Sequence, residues 1–153
     1  MPGDIIGEPQ FSGYDTYFVG HIGIVGPNLQ VYEVIKGGPS KFSSVESFVS
    51  RFDNPVGVYR PNGATSADMA NAAYWASTHY TDVDSYVIDG NLSSLNWNYC
   101  SKFVWQAYFF GSNFNIGVFP YTFEQDGMHM WLRGTVTPGW ILDHSTRITT
   151  TTY

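Results

Sequence analysis

The strongest constraint on the fold is an apolar helical face that begins at the only cysteine of the chain. Residues that follow Cys100 at helical spacing would line one side of a helix, namely Phe103, Val104, Ala107 and Tyr108. Asn96 and Asn98 precede this run, and either side chain is suited to cap a helix. We therefore predict a helix from Cys100 to about Phe110, ended by Gly111, that packs its apolar side on a sheet.

The position of Cys100 at the start of a helix favours a reactive thiol. The partly positive end of a helix stabilises a thiolate and lowers the pKa of the thiol. A single cysteine forms no intramolecular disulfide and builds no cysteine-based zinc site by itself. The alternative interpretation is a buried structural thiol, because free cysteine is among the most buried residue types.

A histidine and a glutamate are expected on neighbouring strands. Residues 19–25 and 29–36 are strand-like, and Gly26-Pro27-Asn28 between them is typical of a turn, so they predict an antiparallel hairpin. Pairing centred on residue 27 would place His21 opposite Glu33, close enough for the carboxylate to orient the imidazole. His21 is then a candidate base for Cys100. The alternative for Glu33 is a solvated strand residue, since a slip of one residue would turn it to the other face.

Other patterns point away from metal and cofactor chemistry. The remaining histidines, at positions 79, 129 and 144, form no pair at the i, i+4 spacing of a zinc helix. The chain also contains neither the GxGxxG pattern nor a phosphate-binding P-loop. We therefore predict no metal site and no cofactor.

Composition limits the partners of the protein. Charged residues make up only 13% of its 153 residues and the net charge is −6, with no basic run, so we predict no nucleic-acid partner. No stretch approaches the ~20 apolar residues of a membrane span. The N-terminus has neither a basic segment nor an apolar export core, and the sequence leaves the localisation open: the cell envelope or the exterior is favoured if a leader was removed, and the cytoplasm otherwise.

The order of predicted elements indicates an α+β protein. Strands come first, then helices, then further strands, and we predict one domain over residues 1–153. A capping box at Ser43 predicts a short helix that ends at about Phe52, and a cap at Ser66 predicts an alanine-rich helix that ends at about His79. Further elements are predicted at 3–7, 55–60, 86–88, 117–121 and 130–133, with a strand or short helix at 139–143.

Three segments together resemble a known family. They are Gly3-Asp4-Ile5-Ile6, Gly20-His21-Ile22-Gly23-Ile24-Val25 and Tyr99-Cys100-Ser101. With the histidine before the cysteine, the chain resembles the circularly permuted branch of the NlpC-type papain-like hydrolases, including YiiX- and YycO-like proteins. The resemblance implies a papain-like α+β fold in which the Cys100 helix packs on a small antiparallel sheet. It also implies Cys100 as nucleophile, His21 as base and Glu33 as the third polar residue.

These observations lead to one preferred function and two alternatives. The preferred function is a cysteine peptidase or amidase that acts through an acyl-thioenzyme, and the resemblance implies amide bonds of cell-wall peptides as substrates. The backbone N–H of Cys100 would stabilise the oxyanion, together with a side chain such as Tyr99 or Tyr14. One alternative is a non-catalytic module that binds a peptide or acyl chain. The other is a thiol acyltransferase that acts on lipid-linked acyl groups.

Overall fold

The structure is a computed structural model that describes residues 1–8, 20–37 and 41–151. Its strands are β1 (Ile5–Glu8), β2 (His21–Val25), β3 (Val31–Glu33), β4 (Lys41–Ser43), β5 (Val56–Pro61), β6 (Ser85–Tyr86), β7 (Trp97–Asn98), β8 (Thr122–Asp126), β9 (His129–Arg133) and β10 (Ser145–Thr151). Its α-helices are α1 (Val45–Val49), α2 (Ser66–His79), α3 (Cys100–Ser112) and α4 (Pro138–Asp143). The helices and the mainly antiparallel strands confirm the predicted α+β class.

Six strands form the main sheet, in the order β10-β5-β1-β2-β3-β4, and every neighbouring pair is antiparallel. Two smaller units stand beside it: β6 and β7 pair in parallel, and β8 and β9 form an antiparallel hairpin. In the main sheet β1 sets Glu8 opposite His21. The short β2 and β3 strands carry the two polar residues that the sequence singles out.

The larger core lies between this sheet and the helices α2 and α3. Ile22 and Ile24 of β2 are buried together with the apolar face of α3, which includes Phe103, Val104 and Tyr108. Burial of these aliphatic and aromatic side chains is the main stabilisation of the helix on the sheet. The Tyr108 hydroxyl also donates a hydrogen bond to the Gly3 carbonyl at 2.5 Å, which holds α3 against the start of β1.

A second, smaller core lies under α1. It contains apolar residues of four strands and the helix, namely Ile6, Val25, Val31, Phe48, Val49 and Val56. Since side chains alternate along a strand, His21 and Gly23 share the face of Val25 and therefore the side on which α1 packs. The site histidine is thus next to α1 as well as to α3.

The predicted N-caps of three helices differ from those in the structure. Two lie one residue away from the predicted position, and the third helix has no side-chain cap. Ser44, not Ser43, caps α1 and accepts a hydrogen bond from the Ser47 N–H. Thr65, not Ser66, caps α2 in a reciprocal capping box with Asp68. No asparagine caps α3, because its N-cap residue is Tyr99, which makes no side-chain capping bond.

Glycine and proline account for several differences between the predicted and the observed elements. Gly111 does not end α3: a Cβ there would lie 2.8 Å from Cβ of Trp75, so this glycine permits the close approach of α2 and α3. The strand predicted at 117–121 is wrong, because residues 116–118 form a 3-10 turn in which Gly117 has a φ of 64°. The segment predicted at 139–143 is helical, with Thr137 as its cap and Pro138 in its first turn. The strand predicted at 86–88 is β6, one residue earlier and shorter.

None of the helices in the described part of the chain has both the length and the apolar content needed to cross a bilayer.

Candidate active site

Cys100 is the first residue of α3, and its side chain is only 2% exposed. Its sulfur accepts hydrogen bonds from the His21 ring and from the backbone N–H groups of Ile22 and Ser101. Burial alone would raise the pKa of the thiol, but these bonds and the charge of His21 outweigh it and hold the pKa below its usual value. These contacts therefore favour the thiolate form of Cys100.

His21 joins the sulfur to a buried carboxylate. Its Nε2 lies 2.6 Å from Oε2 of Glu33, so Nδ1 is the ring nitrogen left for Cys100. Burial lowers the pKa of His21, but its bonds to Cys100 and Glu33 more than compensate and raise the pKa to about 9. At neutral pH the imidazole is therefore protonated, and its charge favours the thiolate form of Cys100.

The contact between His21 and Glu33 forms in a different register from the predicted one. The structure pairs Val25 with Val31 and Ile24 with Tyr32, so the hairpin is centred on residue 28 and not on residue 27. This shift moves the residue directly opposite His21 by two positions along the chain, and it keeps Glu33 on the same face as His21. Glu33 then reaches His21 diagonally, past Gly23. A Cβ added to Gly23 would lie 2.6 Å from the Val31 side chain and clash with it.

An arginine and two phenylalanines complete the surroundings of the imidazole, and the sequence analysis missed all three. Arg51 donates a hydrogen bond to Oε1 of Glu33 at 2.5 Å, while His21 occupies the other carboxylate oxygen. The His21 ring stacks on Phe48 and Phe52, with centroids 5.8 and 6.1 Å apart. The Arg51 guanidinium lies 4.9 Å from the Phe48 centroid. These contacts fix both the carboxylate and the plane of the ring.

Arg51→Gln is expected to lower the free energy of unfolding by about 1–2 kcal/mol at pH 7, because a buried carboxylate loses a charged hydrogen-bond partner. Burial is the largest single effect on Glu33 and raises its pKa, but the bonds to and charges of His21 and Arg51 together outweigh burial and lower the pKa. The stabilisation is therefore present above the unfolded-state pKa and disappears as the pH falls through the folded-state pKa. Urea unfolding at neutral and strongly acidic pH measures the difference.

Arg147→Gln, which changes an exposed arginine on β10, is the matched control and should leave the stability at pH 7 within about 0.5 kcal/mol of the native value. An equal loss for Arg51→Gln at both pH values would contradict a role through ionised Glu33.

Lys102 anchors the loop that leads into α3. Its side chain is fully buried, and its ammonium group donates to Oδ1 of Asp89 at 3.0 Å, to Oγ of Ser94 at 2.8 Å and to the Trp97 carbonyl at 2.8 Å. The three acceptors span the loop before the helix and meet at its first turn. Lys102 therefore fixes the backbone that positions Cys100.

Of the two tyrosines that the sequence predicts as oxyanion donors, the structure describes one. The Tyr99 hydroxyl is buried and accepts a hydrogen bond from the Val136 N–H at 3.2 Å. Tyr14 lies outside the described residues. Tyr86 of β6 is half-buried: burial first, and then the charge of Cys100, raise its pKa to about 12. Tyr86 thus keeps its proton and is a further hydrogen-bond donor that the sequence analysis did not single out.

The other histidines have local roles. His79 and His144 each bond the backbone oxygen of the tryptophan four residues earlier, Trp75 or Trp140, and stack on its ring. His129 lies exposed on β9. Within residues 1–8, 20–37 and 41–151, no three His, Cys, Asp or Glu side chains are grouped so as to hold a metal ion.

Comparisons with known proteins identify the family of this chain. A similar solved structure is that of the metalloprotein YiiX from Escherichia coli O157:H7, with a TM-score of 0.64 and 18% identity over 99% of this chain and 98% of that chain. Among curated proteins, none matches this chain. The model of the LnsA-like lipoprotein N-acylation proteins matches residues 1–124. The chain belongs to the LnsA-like lipoprotein N-acylation protein family.

Proposed function

We propose that this protein is a thiol acyltransferase that carries an acyl group on Cys100 and passes it to an amine. The observation that supports this most is the buried chain of contacts from the Cys100 thiolate through His21 to Glu33. Such a chain supplies a nucleophile, a proton carrier and an orienting group. Membership in a family named for lipoprotein N-acylation supports a lipid-borne acyl donor and the amino group of a lipoprotein as acceptor.

The first half-reaction forms a thioester. The Cys100 thiolate attacks the carbonyl carbon of a lipid ester, and the carbonyl electrons move to the oxygen. When the tetrahedral intermediate collapses, the carbon–oxygen ester bond breaks and the imidazolium of His21 gives its proton to the leaving alkoxide. The protein then carries the acyl group on sulfur, and His21 is neutral.

The second half-reaction returns the site to its starting state. A neutral amine attacks the thioester carbonyl, and His21 accepts the proton that the amine loses. The carbon–sulfur bond breaks, leaving an amide product and the thiolate beside the imidazolium of His21. The buried Glu33 stabilises that imidazolium at each step.

The oxyanion of both intermediates would lie at the start of α3. The Cys100 N–H belongs to the first turn of the helix, where backbone donors are free of intrahelical partners. Tyr86, which stays protonated and feels the charge of Cys100, is the side chain that we propose as second donor. Tyr99, with its hydroxyl on the Val136 N–H, would support the loop, and we make no further assignment for Tyr14.

The same acyl-enzyme would make the protein a peptidase or amidase if water were the acceptor, which is the function predicted from the sequence. We infer that the permuted papain-like arrangement holds in either case, with His21 before Cys100. No step uses a metal, although YiiX is described as a metalloprotein, because both ring nitrogens of His21 are engaged by Glu33 and Cys100.

The proposal is tested by trapping the intermediate. The native protein is incubated with a short-chain diacyl phospholipid below its micelle concentration, and its intact mass is measured before and after neutral hydroxylamine. We expect a mass gain of one acyl group that hydroxylamine removes, and no gain in Cys100→Ala. A lipopeptide with a free N-terminal amine should then receive the acyl group, whereas its N-acetylated counterpart should not.

Two results would overturn the transferase. Release of free fatty acid at the same rate with and without the lipopeptide amine would show a hydrolase. Binding of the phospholipid without any acyl adduct on Cys100 would show a binding module.

A further inference from the structure

The β8–β9 hairpin exposes an apolar face. Its register sets Phe123 opposite Leu132 and Gln125 opposite Met130, so these four side chains share one face. Leu132 is buried at the base, but Phe123 and Met130 are 67% and 64% exposed, and Met128 in the turn is 98% exposed. We call Phe123, Met128 and Met130 the hairpin patch.

The opposite face of the hairpin is mostly polar. It carries Thr122, Glu124, Asp126, His129 and Arg133 around the half-buried Trp131, whereas the face with the hairpin patch has Gln125 as its only polar member. Antiparallel sheets with one apolar and one polar face normally bury the apolar one. A two-stranded hairpin is also only marginally stable alone, so an uncovered apolar face indicates a partner that covers it.

The hairpin patch continues as an aromatic surface on the body of the protein. Phe123 contacts Tyr121 at 5.8 Å between ring centroids, and Tyr121 contacts Phe109 of α3 at 5.4 Å. Phe109 in turn contacts the exposed Phe110 at 5.3 Å. Apolar rings with tyrosine among them are typical of surfaces that lie at a membrane interface.

The hairpin is joined to the element that holds the nucleophile. Backbone hydrogen bonds of 2.8 and 3.0 Å connect Leu132 with Leu92 and Gly134 with Gly90. Lys102 ties the same loop to the first turn of α3. A surface that binds at the hairpin is therefore connected to the start of the Cys100 helix by a continuous set of hydrogen bonds.

We propose that the hairpin patch docks on the surface of a lipid bilayer and brings the Cys100 site to its acyl donor. The inference rests on the proposed function, because a bilayer is where a lipid ester and an anchored lipoprotein meet. With Phe and Met on one face and charges on the other, the hairpin can bury the first in the acyl–headgroup boundary and keep the second in water. The net charge of −6 favours zwitterionic over anionic lipid.

The test is flotation of the full chain with phosphatidylcholine vesicles and with vesicles that also contain phosphatidylglycerol. We expect binding to phosphatidylcholine and weaker binding when the anionic lipid is added at low salt. The triple variant F123S/M128S/M130S should bind roughly tenfold more weakly or worse. Met128→Ser alone, at a fully exposed turn, should weaken binding about threefold without affecting folding.

Leu29→Ser is the matched control, because Leu29 is an exposed apolar residue in the turn at the end of β2 remote from His21. It should bind vesicles as the native protein does. Absence of vesicle binding by the native protein, or equal binding by the triple and native chains, would overturn the docking surface. So would a native dimer that the triple variant converts to a monomer, since a second copy would then cover the patch.

Acylation of Cys100 by the monomeric short-chain phospholipid separates this inference from the proposed function. We expect the triple variant to form the acyl-enzyme at the native rate from the monomeric lipid and more slowly from vesicles. Vesicle binding without any acyl-enzyme would overturn the proposed function and leave the docking surface standing. Formation of the acyl-enzyme without vesicle binding would overturn the docking surface and leave the proposed function standing.

Discussion

Replacing His21 with alanine is expected to slow formation of the acyl-enzyme by about 10²–10⁴-fold. The variant loses the proton that His21 would give to the leaving alkoxide. It also loses the positive charge that stabilises the thiolate. Because Cys100 is buried, its thiol would then have a pKa raised by burial with no imidazolium to oppose it. The rate of mass gain from the short-chain phospholipid measures the loss.

His129→Ala is the control for this change, because His129 is exposed on the mostly polar face of the hairpin. We expect its rate to be within about twofold of the native rate. If His21→Ala were acylated as fast as His129→Ala, His21 would not be the proton carrier.

Lys102→Met is expected to reduce the free energy of unfolding by about 2–4 kcal/mol. The methionine fills much of the same space, but Asp89, Ser94 and the Trp97 carbonyl lose their common donor. Asp89 is partly exposed, so water compensates for some of its loss. Urea unfolding measures the change, and the loosened loop should also slow acylation of Cys100.

The exposed Lys36 supplies the control, and Lys36→Met should change the stability by no more than about 0.5 kcal/mol. Equal stabilities of the Lys102 and Lys36 variants would mean that the buried ammonium group does not hold the loop. If Cys100 in the Lys102→Met variant were acylated at the native rate, the loop would not be needed to position Cys100.

Much of the site follows from local patterns in the sequence. The apolar spacing after Cys100 is enough to place the cysteine at a helix start, and the β-branched run after His21 is enough to place the histidine at the start of a strand. Glu33 was assigned through a register that is wrong by two residues. The assignment kept the correct face only because side chains repeat every two residues along a strand.

The parts that were missed depend on contacts between distant segments. Arg51 follows a five-residue helix, and nothing in its neighbourhood signals that it meets a carboxylate on β3. Lys102 looks like an ordinary exposed helix residue until the loop before it folds back over its side chain. The hairpin register depends on the turn, where Leu29 adopts a left-handed φ of 61°.

One missed element did have a local signal. The threonine-rich end of the chain pairs with β5 as the edge strand β10, and β-branched residues favour strands. The parallel pairing of β6 with β7 had none, since each strand has only two residues and the pairing depends on the loop that Lys102 holds.

The central claim is that Cys100 and His21 form a thiolate–imidazolium pair, and the pH dependence of Cys100 alkylation by iodoacetamide in the folded protein tests it most directly. The rate should rise well below the ordinary thiol pKa of ~8.5, stay level across neutral pH, and rise again near pH 9, where His21 loses its proton. A single rise near the ordinary thiol value, unchanged in His21→Ala, would contradict the account.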